Sequence, residues 1–195
     1  FRSRLRVTET SGPYARLATG GYVFTAHLRP EGAHESDPVA VAEKFLHAPY
    51  LWGGKSIHGL DCSGLVQLAF QAIGRNCPRD SDMQERELGA RLESNSISGL
   101  RRGDLVFWDG HVGIMRDGET LIHANGHHML TVAEPVATRI KAASSQPNNR
   151  GNFHRSLNGN NLHIFPFLIE KLTSHSRIFG RNPLTLVVAR LVIFC

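Results

Sequence analysis

Between Cys62 and Ile73 the chain carries Leu65, Val66, Leu68, Ala69, Phe70, Ala72 and Ile73, so apolar side chains fall on nearly every side of a single helix. A helix without a polar face has nothing to offer water and needs neighbours all round, so this segment predicts a central, buried helix. Gly74 predicts its end, because glycine readily takes the left-handed conformation that closes a helix.

The elements around that helix follow from shorter signals. Ser36-Asp37-Pro38 combines capping residues with a first-turn proline. Val39, Ala42, Phe45 and Leu46 recur behind it at helical spacing, and Pro49 predicts the stop. Tyr50-Leu-Trp-Gly-Gly54 reads as a loop whose two glycines let the backbone approach something closely. A third helix is expected from Ser81, where Ser81-Asp-Met-Gln84 has the capping-box pattern, to near Gly89. Three strand-like runs come next: Asp104–Trp108, His111–Met115 and Thr120–Ala124. Asp109-Gly110 and Asp117-Gly118 separate them, and Asp-Gly is a strong hairpin signal. Val132 marks one further strand. Helices first and an antiparallel sheet afterwards is α+β order.

Outside residues 37–140 the reading changes. In Tyr14 to Leu28 a Gly-Gly pair separates two short alternating runs, so residues 1–30 read as the end of a larger β domain, joined by a linker over 31–36. The chain starts at Phe1 without a charged-then-apolar leader, as expected of a fragment or processed product. No window approaches the ~20 apolar residues that cross a bilayer as a helix. Residues 141–195 read as a tail, with disorder as one expectation, and its last apolar run, Leu184 to Phe194, as a β-prone strand.

Hydrophobic residues at 41% and charged residues at 20% exclude a wholly disordered chain. The net charge of +5 is unevenly held. Residues 1–140 have 15 Lys+Arg against 16 Asp+Glu, whereas residues 141–195 have 7 against 1. The body is neutral and the tail lacks a recognisable binding module, so no nucleic-acid partner is expected.

The three cysteines, Cys62, Cys77 and Cys195, neither pair completely nor show metal-type spacing. Cys62 opens the buried helix, where unpaired N–H groups and the helix dipole favour a thiolate, and this predicts a lowered thiol pKa. Ser63 and Gly64 are small, which leaves access to the sulfur and to N–H groups able to receive an oxyanion. His111 opens one predicted strand and His123 lies on the next. With Asp117-Gly118 as the turn, both can face one side, His111 as base and His123 as the group that orients it. Bare spacing leaves each of the three open to a purely structural role. His127 and His128 would point to opposite faces of an extended chain, and without an HExxH or CxxC pattern no metal or other cofactor is expected. Trp52 could line a cleft. Trp108 reads as core and Cys77 as an unreactive thiol.

The motifs Tyr50–Gly54, Asp61–Val66, Arg102–Phe107, Gly110–Ile114 and Leu121–Ala124, in this order and at these separations, resemble the NlpC/P60 family of cysteine peptidases over roughly Ser36 to Ile140. The resemblance implies a papain-like core with helices packed on an antiparallel sheet. It implies Cys62 as nucleophile, His111 as base and His123 as third polar member. Tyr50 resembles the family tyrosine whose hydroxyl reaches the cysteine, and Asp61 and Ser63 match substrate-binding positions, although as bare sequence they read equally well as helix caps. Cys77–Gln84, preceded by an SH3-like remnant, is similar to the branch that cuts γ-D-glutamyl–diamino acid bonds, resembling dipeptidyl-peptidase VI. In that branch Asp80 or Ser81 would bind a free N-terminal L-alanine.

The implied function is hydrolysis of the γ-D-glutamyl bond to meso-diaminopimelate or lysine in peptidoglycan stem peptides, through a Cys62 thioester. Two alternatives use the same sequence differently: a CHAP-type or acyltransferase relative with the same Cys-His pair, and a non-catalytic wall-binding protein. Cytoplasmic recycling of released peptides and remodelling in the periplasm or cell envelope both remain open, as does the oligomeric state.

Overall fold

The computed structural model describes residues 3–92, 97–144, 152–155 and 190–193. They fall into two compact units, residues 3–31 with 190–193 and residues 32–155.

The smaller unit begins with β1 (Arg4–Ser11), β2 (Tyr14–Leu17) and β3 (Tyr22–Phe24), a 3₁₀ turn at Thr25–His27, and β4 (Leu28–Pro30). The Gly-Gly break does what the sequence predicts. Gly20 and Gly21 both have positive φ, 90° and 81°, and turn β2 into β3. Glycine adopts that conformation without the steric cost a side chain would bring. Val7, Ala15 and Leu28 form a small buried cluster flanked by Leu5, Leu17 and Val23.

The larger unit opens with α1 (Pro38–Glu43). Asp37 caps it by accepting the Val39 N–H at 2.8 Å. Pro38 occupies the first turn, where its missing N–H costs nothing. The expected helical stripe extends to Leu46, but the α-helix stops at Glu43. From there tighter i→i+3 bonds carry the chain through Lys44, Phe45, Leu46 and Ala48, which still buries Phe45. A short hairpin, β5 (Lys55–Ser56) with β6 (Gly59–Leu60), leads into α2 (Cys62–Ala72). Asp61 caps α2 by accepting the Gly64 N–H at 2.7 Å. Every residue from Cys62 to Phe70 is buried, as an all-round apolar helix requires. Truncating Phe70 to Ala would cost about 3–5 kcal/mol, the usual penalty for a buried aromatic.

The third helix, α3 (Ser81–Glu87), corrects the capping-box expectation. Its N-cap is Asp80, Ser81 is the first helical residue, and no side chain caps it. Gln84 turns inward instead, its Nε2 donating to the carbonyls of Ser63 and Pro78, both at 2.9 Å, and so tying α3 to α2.

The sheet holds β7 (Ala90–Arg91), β8 (Leu105–Trp108), β9 (His111–Met115), β10 (Thr120–Asn125) and β11 (Leu130–Pro135). After α4 (Val136–Ser144), β12 (Asn152–Arg155) inserts between β8 and β7, which gives the order β11-β10-β9-β8-β12-β7. The described pairs are antiparallel. Trp108 pairs with His111 across the two-residue turn Asp109-Gly110, where Gly110 has a φ of 67°. That left-handed angle is what a tight hairpin turn demands of its glycine. At the next turn Asp117 accepts the N–H groups of Glu119 and Thr120. Val106, Trp108, Met115 and Leu121 pack on one face with Leu100 and Val136, so Trp108 is core. Alternation turns Phe107, Val112, Ile114 and Ile122 to the opposite face, and α2 packs against β9 and β10. Helices on an antiparallel sheet make the unit α+β, as expected.

Of the terminal apolar run, Arg190–Ile193 forms β13, which pairs with β1 and β4 in the smaller unit. The expected tail is corrected at two further places, since residues 141–144 finish α4 and Asn152–Arg155, as β12, pair with β8 and β7 of the larger unit; its other residues lie outside the described residues.

Candidate active site

The N-terminus of α2, the loop Tyr50–Gly54, the turn into α3 and the turn between β8 and β9 converge on a cleft of about 510 Å³. It is lined by Tyr50, Trp52, Asp61, Cys62, Ser63, Arg79, Asp80, Ser81, Asp82 and Asp109, with Gly53 and Gly110. Trp52 is 83% exposed at the edge, far more than a core aromatic would be.

Cys62 is a buried free thiol at the first position of α2. Its sulfur meets the backbone N–H groups of Val112, Ser63 and Cys62 itself. The Val112 contact sets the start of β9, and with it His111, against the start of the helix. Burial raises the thiol pKa, the N–H groups pull it back, and the nearby Asp61 charge adds to the rise. The net shift is upward. The expectation of a lowered pKa from the helix terminus is therefore corrected, because desolvation outweighs the dipole at this depth.

His111 and His123 lie on neighbouring antiparallel strands, with His111 Nε2 2.7 Å from His123 Nδ1. His123 is fully buried, and its Nε2 lies 2.6 Å from Glu134 Oε1 and 3.1 Å from Asn125 Nδ2. Both imidazoles are held neutral. Burial pushes the His111 pKa down to about 3, helped by His123 and Arg139, and that of His123 to about 3, helped by Arg139 and His128. In the free protein the thiol of Cys62 and the imidazole of His111 are thus both neutral. With His111 Nε2 engaged by His123, Nδ1 is the nitrogen left to act on another group.

The loop wall is built around Asp61. Its Oδ1 accepts from the Gly64 N–H, the Ser63 hydroxyl and Arg79 Nη1, and its Oδ2 from the Gly53 N–H and Arg79 Nη2. Burial would raise the Asp61 pKa, but the Arg79 fork and the N–H groups of Gly64 and Gly53 outweigh it and hold the carboxyl low. Arg79 Nη1 also donates to Ser63 Oγ at 2.9 Å and Nη2 to the Gly54 carbonyl at 3.3 Å. Asp61 and Ser63 therefore face the cleft with their polar atoms already bonded to protein. Tyr50 sits close enough to Cys62 and Asp61 for burial and their charges to raise its phenol pKa.

Of the eight residues singled out in the sequence, Tyr50, Asp61, Cys62, Ser63, Asp80 and Ser81 line the cleft, whereas His111 and His123 are brought to each other on β9 and β10, with Trp108 against the His111 ring. Sequence reasoning missed Arg79, Asn125 and Glu134. Arg79 sits inside a motif already singled out, between Pro78 and Asp80, so its position carried a signal. Cys77 is buried, its pKa pushed up to about 12 mainly by burial, which matches an unreactive thiol. His127 and His128 contact each other edge to face beyond β10. Among the described residues no group of three or more His, Cys, Asp or Glu side chains could hold a metal.

Residues 47–146 match the model of the NlpC/P60 family. Dipeptidyl-peptidase 6 of Lysinibacillus sphaericus is 34% identical over 120 residues, covering 56% of this chain and 43% of that protein. The gamma-D-glutamyl-L-lysine dipeptidyl-peptidase of Bacillus subtilis (strain 168) is 35% identical over 113 residues, covering 51% of this chain and 36% of its own. The chain thus spans less than half the length of either curated relative. The crystal structure of an NlpC/P60 family protein from Bacillus cereus ATCC 10987 superposes with a TM-score of 0.56 at 22% identity, over 80% of this chain and 54% of that one, a likeness of fold.

Proposed function

The chain belongs to the NlpC/P60 family, and from that premise we propose that it is a cysteine peptidase hydrolysing the γ-D-glutamyl–diamino acid bond of peptidoglycan-derived peptides. The observation that carries this reading is a cysteine at a helix start, beside a strand that opens with His111, whose outer nitrogen is held by His123.

His111 Nδ1 takes the thiol proton as Cys62 sulfur attacks the γ-carbonyl carbon of D-glutamate. N–H groups at the start of α2 receive the oxyanion. The imidazolium then gives its proton to the leaving amino group, the C–N bond breaks and a thioester remains. Water attacks the thioester carbon, His111 takes its proton, and the C–S bond breaks to regenerate the thiol and free the γ-carboxyl group.

The cleft chemistry supports a substrate bearing ammonium groups. Asp80 and Ser81 at the mouth suit a free N-terminal L-alanine, since an amine leaving water needs a paired charge. Asp61 and Ser63, saturated by Arg79, shape the wall that substrate meets. The relatives named for dipeptidyl-peptidase activity support the same bond. The strands from Arg4 to Pro30 are read as part of an SH3-like domain and residues 37–140 as the catalytic one, to which the end of α4 and β12 also belong.

The test is mass-spectrometric product analysis on L-Ala-γ-D-Glu-diamino-acid peptides. The protein should release the L-Ala-D-Glu dipeptide, and Cys62→Ala should fold and release none. Turnover by that variant, or acyl transfer in place of hydrolysis, would overturn the assignment.

A further inference from the structure

The carboxylate of Glu134 occupies a position that neither the cleft nor the Cys-His pair explains. It lies on β11, whose register sets Val132 opposite His123 and Glu134 opposite Leu121. Glu134 is thus the diagonal neighbour of His123 on the same sheet face, a placement that brings diagonal side chains within reach. Its carboxylate meets the outer ring nitrogen at 2.6 Å.

Two groups compete for that nitrogen. Asn125 is buried, and its Oδ1 accepts the His128 N–H at 2.8 Å, which turns its amide nitrogen toward His123 Nε2 at 3.1 Å. A donor there favours a lone pair on Nε2. The Glu134 carboxylate favours a proton on it. The two choices have opposite consequences one ring away. A proton on His123 Nε2 leaves Nδ1 as acceptor. His111 then donates its Nε2–H across the 2.7 Å contact and keeps a lone pair on Nδ1. A proton on His123 Nδ1 instead forces His111 to accept at Nε2 and to carry its own proton on Nδ1, the nitrogen that must take the thiol proton.

We propose that Glu134 is a positioning residue for the reaction: it overrides Asn125, fixes His123 as the Nε2–H tautomer, and through it presents His111 Nδ1 as a base. A charged acceptor wins this competition because hydrogen bonds to an ionised group are about twice as strong as those between neutral groups. In the resting protein, where both rings are neutral, that role is tautomer selection. It rests on the reading of Cys62 and His111 as the reacting pair.

The experiment records long-range ¹H–¹⁵N correlations of the histidine rings in the full chain near pH ~7, beside turnover of the L-Ala-γ-D-Glu-diamino-acid peptide. In the unaltered protein both rings should be Nε2–H, and an Nδ1–H tautomer of His123 there overturns the proposal without any variant. Glu134→Leu should switch His123 to Nδ1–H and lower kcat by about 100-fold, the order of a general base lost to the wrong tautomer, with KM nearly unchanged. Removing the competing donor as well, in Glu134→Leu/Asn125→Ala, should recover part of both. Glu134→Gln, whose amide oxygen can still accept, should keep the Nε2–H tautomer. A Glu134→Leu protein that keeps this tautomer, or full kcat, would sink the idea. If the unaltered chain turns over no peptide, the failure lies with the proposed function, and the ring spectra judge Glu134 separately.

Discussion

Arg79 grips Asp61 with both arms of its guanidinium, Nη1 on Oδ1 at 2.9 Å and Nη2 on Oδ2 at 2.6 Å. Asp61 caps α2 and holds the Gly53 N–H, so this pair ties the turn before α3 to both the helix that carries Cys62 and the loop that carries Tyr50.

The fork makes the site sensitive to the difference between arginine and lysine. An ammonium is a point charge and cannot bond both Asp61 oxygens while also reaching Ser63 and Gly54. Arg79→Lys should therefore lower stability by about 1–3 kcal/mol, the range for losing a charge-assisted bond and leaving a partly buried carboxylate under-satisfied. Urea unfolding measures it, and a midpoint equal to that of the parent would show that the pair contributes nothing beyond charge.

The two neutral histidines make a second prediction, on stability against pH. Free in the unfolded chain a histidine titrates near ~6.5, whereas burial lowers His111 and His123 to about 3. Between those values the unfolded chain binds more protons than the folded one. Stability is thus fully present above pH ~6.5 and falls with pH, by up to about 1.4 kcal/mol per unit for each ring, until pH reaches about 3. Urea unfolding at pH ~7 and ~5 should show a smaller drop in His123→Gln than in the parent. Equal drops would mean that His123 carries no such penalty.

A third prediction concerns the resting thiol. With burial raising the Cys62 pKa, alkylation by iodoacetamide in the free protein should rise with a midpoint above the ordinary ~8.5. Peptide mapping separates Cys62 from Cys77, which should react more slowly still. A midpoint below ~7 would mean that a thiolate–imidazolium pair already exists without substrate, against a neutral resting state.

These outcomes mark what local sequence can and cannot convey. Cys62–Ala72 was legible because its signal is the helical period itself, and the two hairpins because Asp109-Gly110 and Asp117-Gly118 each demand a particular turn. The meeting of His111 with His123 followed from that turn. Glu134 did not follow, because its reach to His123 depends on the register of β11, and a shift of one residue would send its side chain to the other face. The cap of α3 misled because Gln84 had a better use tying the helix to Ser63. The direction of the Cys62 shift was hidden for a different reason. The dipole of α2 is written in the local sequence, whereas the depth of burial that outweighs it is a property of the whole fold.

Gly64 provides the last test, because two effects of known size oppose each other there. Within a helix, alanine in place of glycine is worth about 1 kcal/mol of added stability. A Cβ at Gly64, however, would meet the Gly54 carbonyl oxygen at 2.5 Å and Asp61 Oδ1 at 2.9 Å. The first of these is backbone, fixed by the same loop that Arg79 and Asp61 hold, so it has little room to retreat. Overpacking of this kind costs about 1–3 kcal/mol or more. The balance falls on the destabilising side, and relief by moving the loop would shift Tyr50 and the start of α2 relative to His111. Gly64→Ala should therefore lose both stability in urea and turnover of the tripeptide. A variant more stable than the parent and equally active would mean that the loop yields freely, and that the close approach of Gly54 to the helix is not needed to hold Cys62 in place.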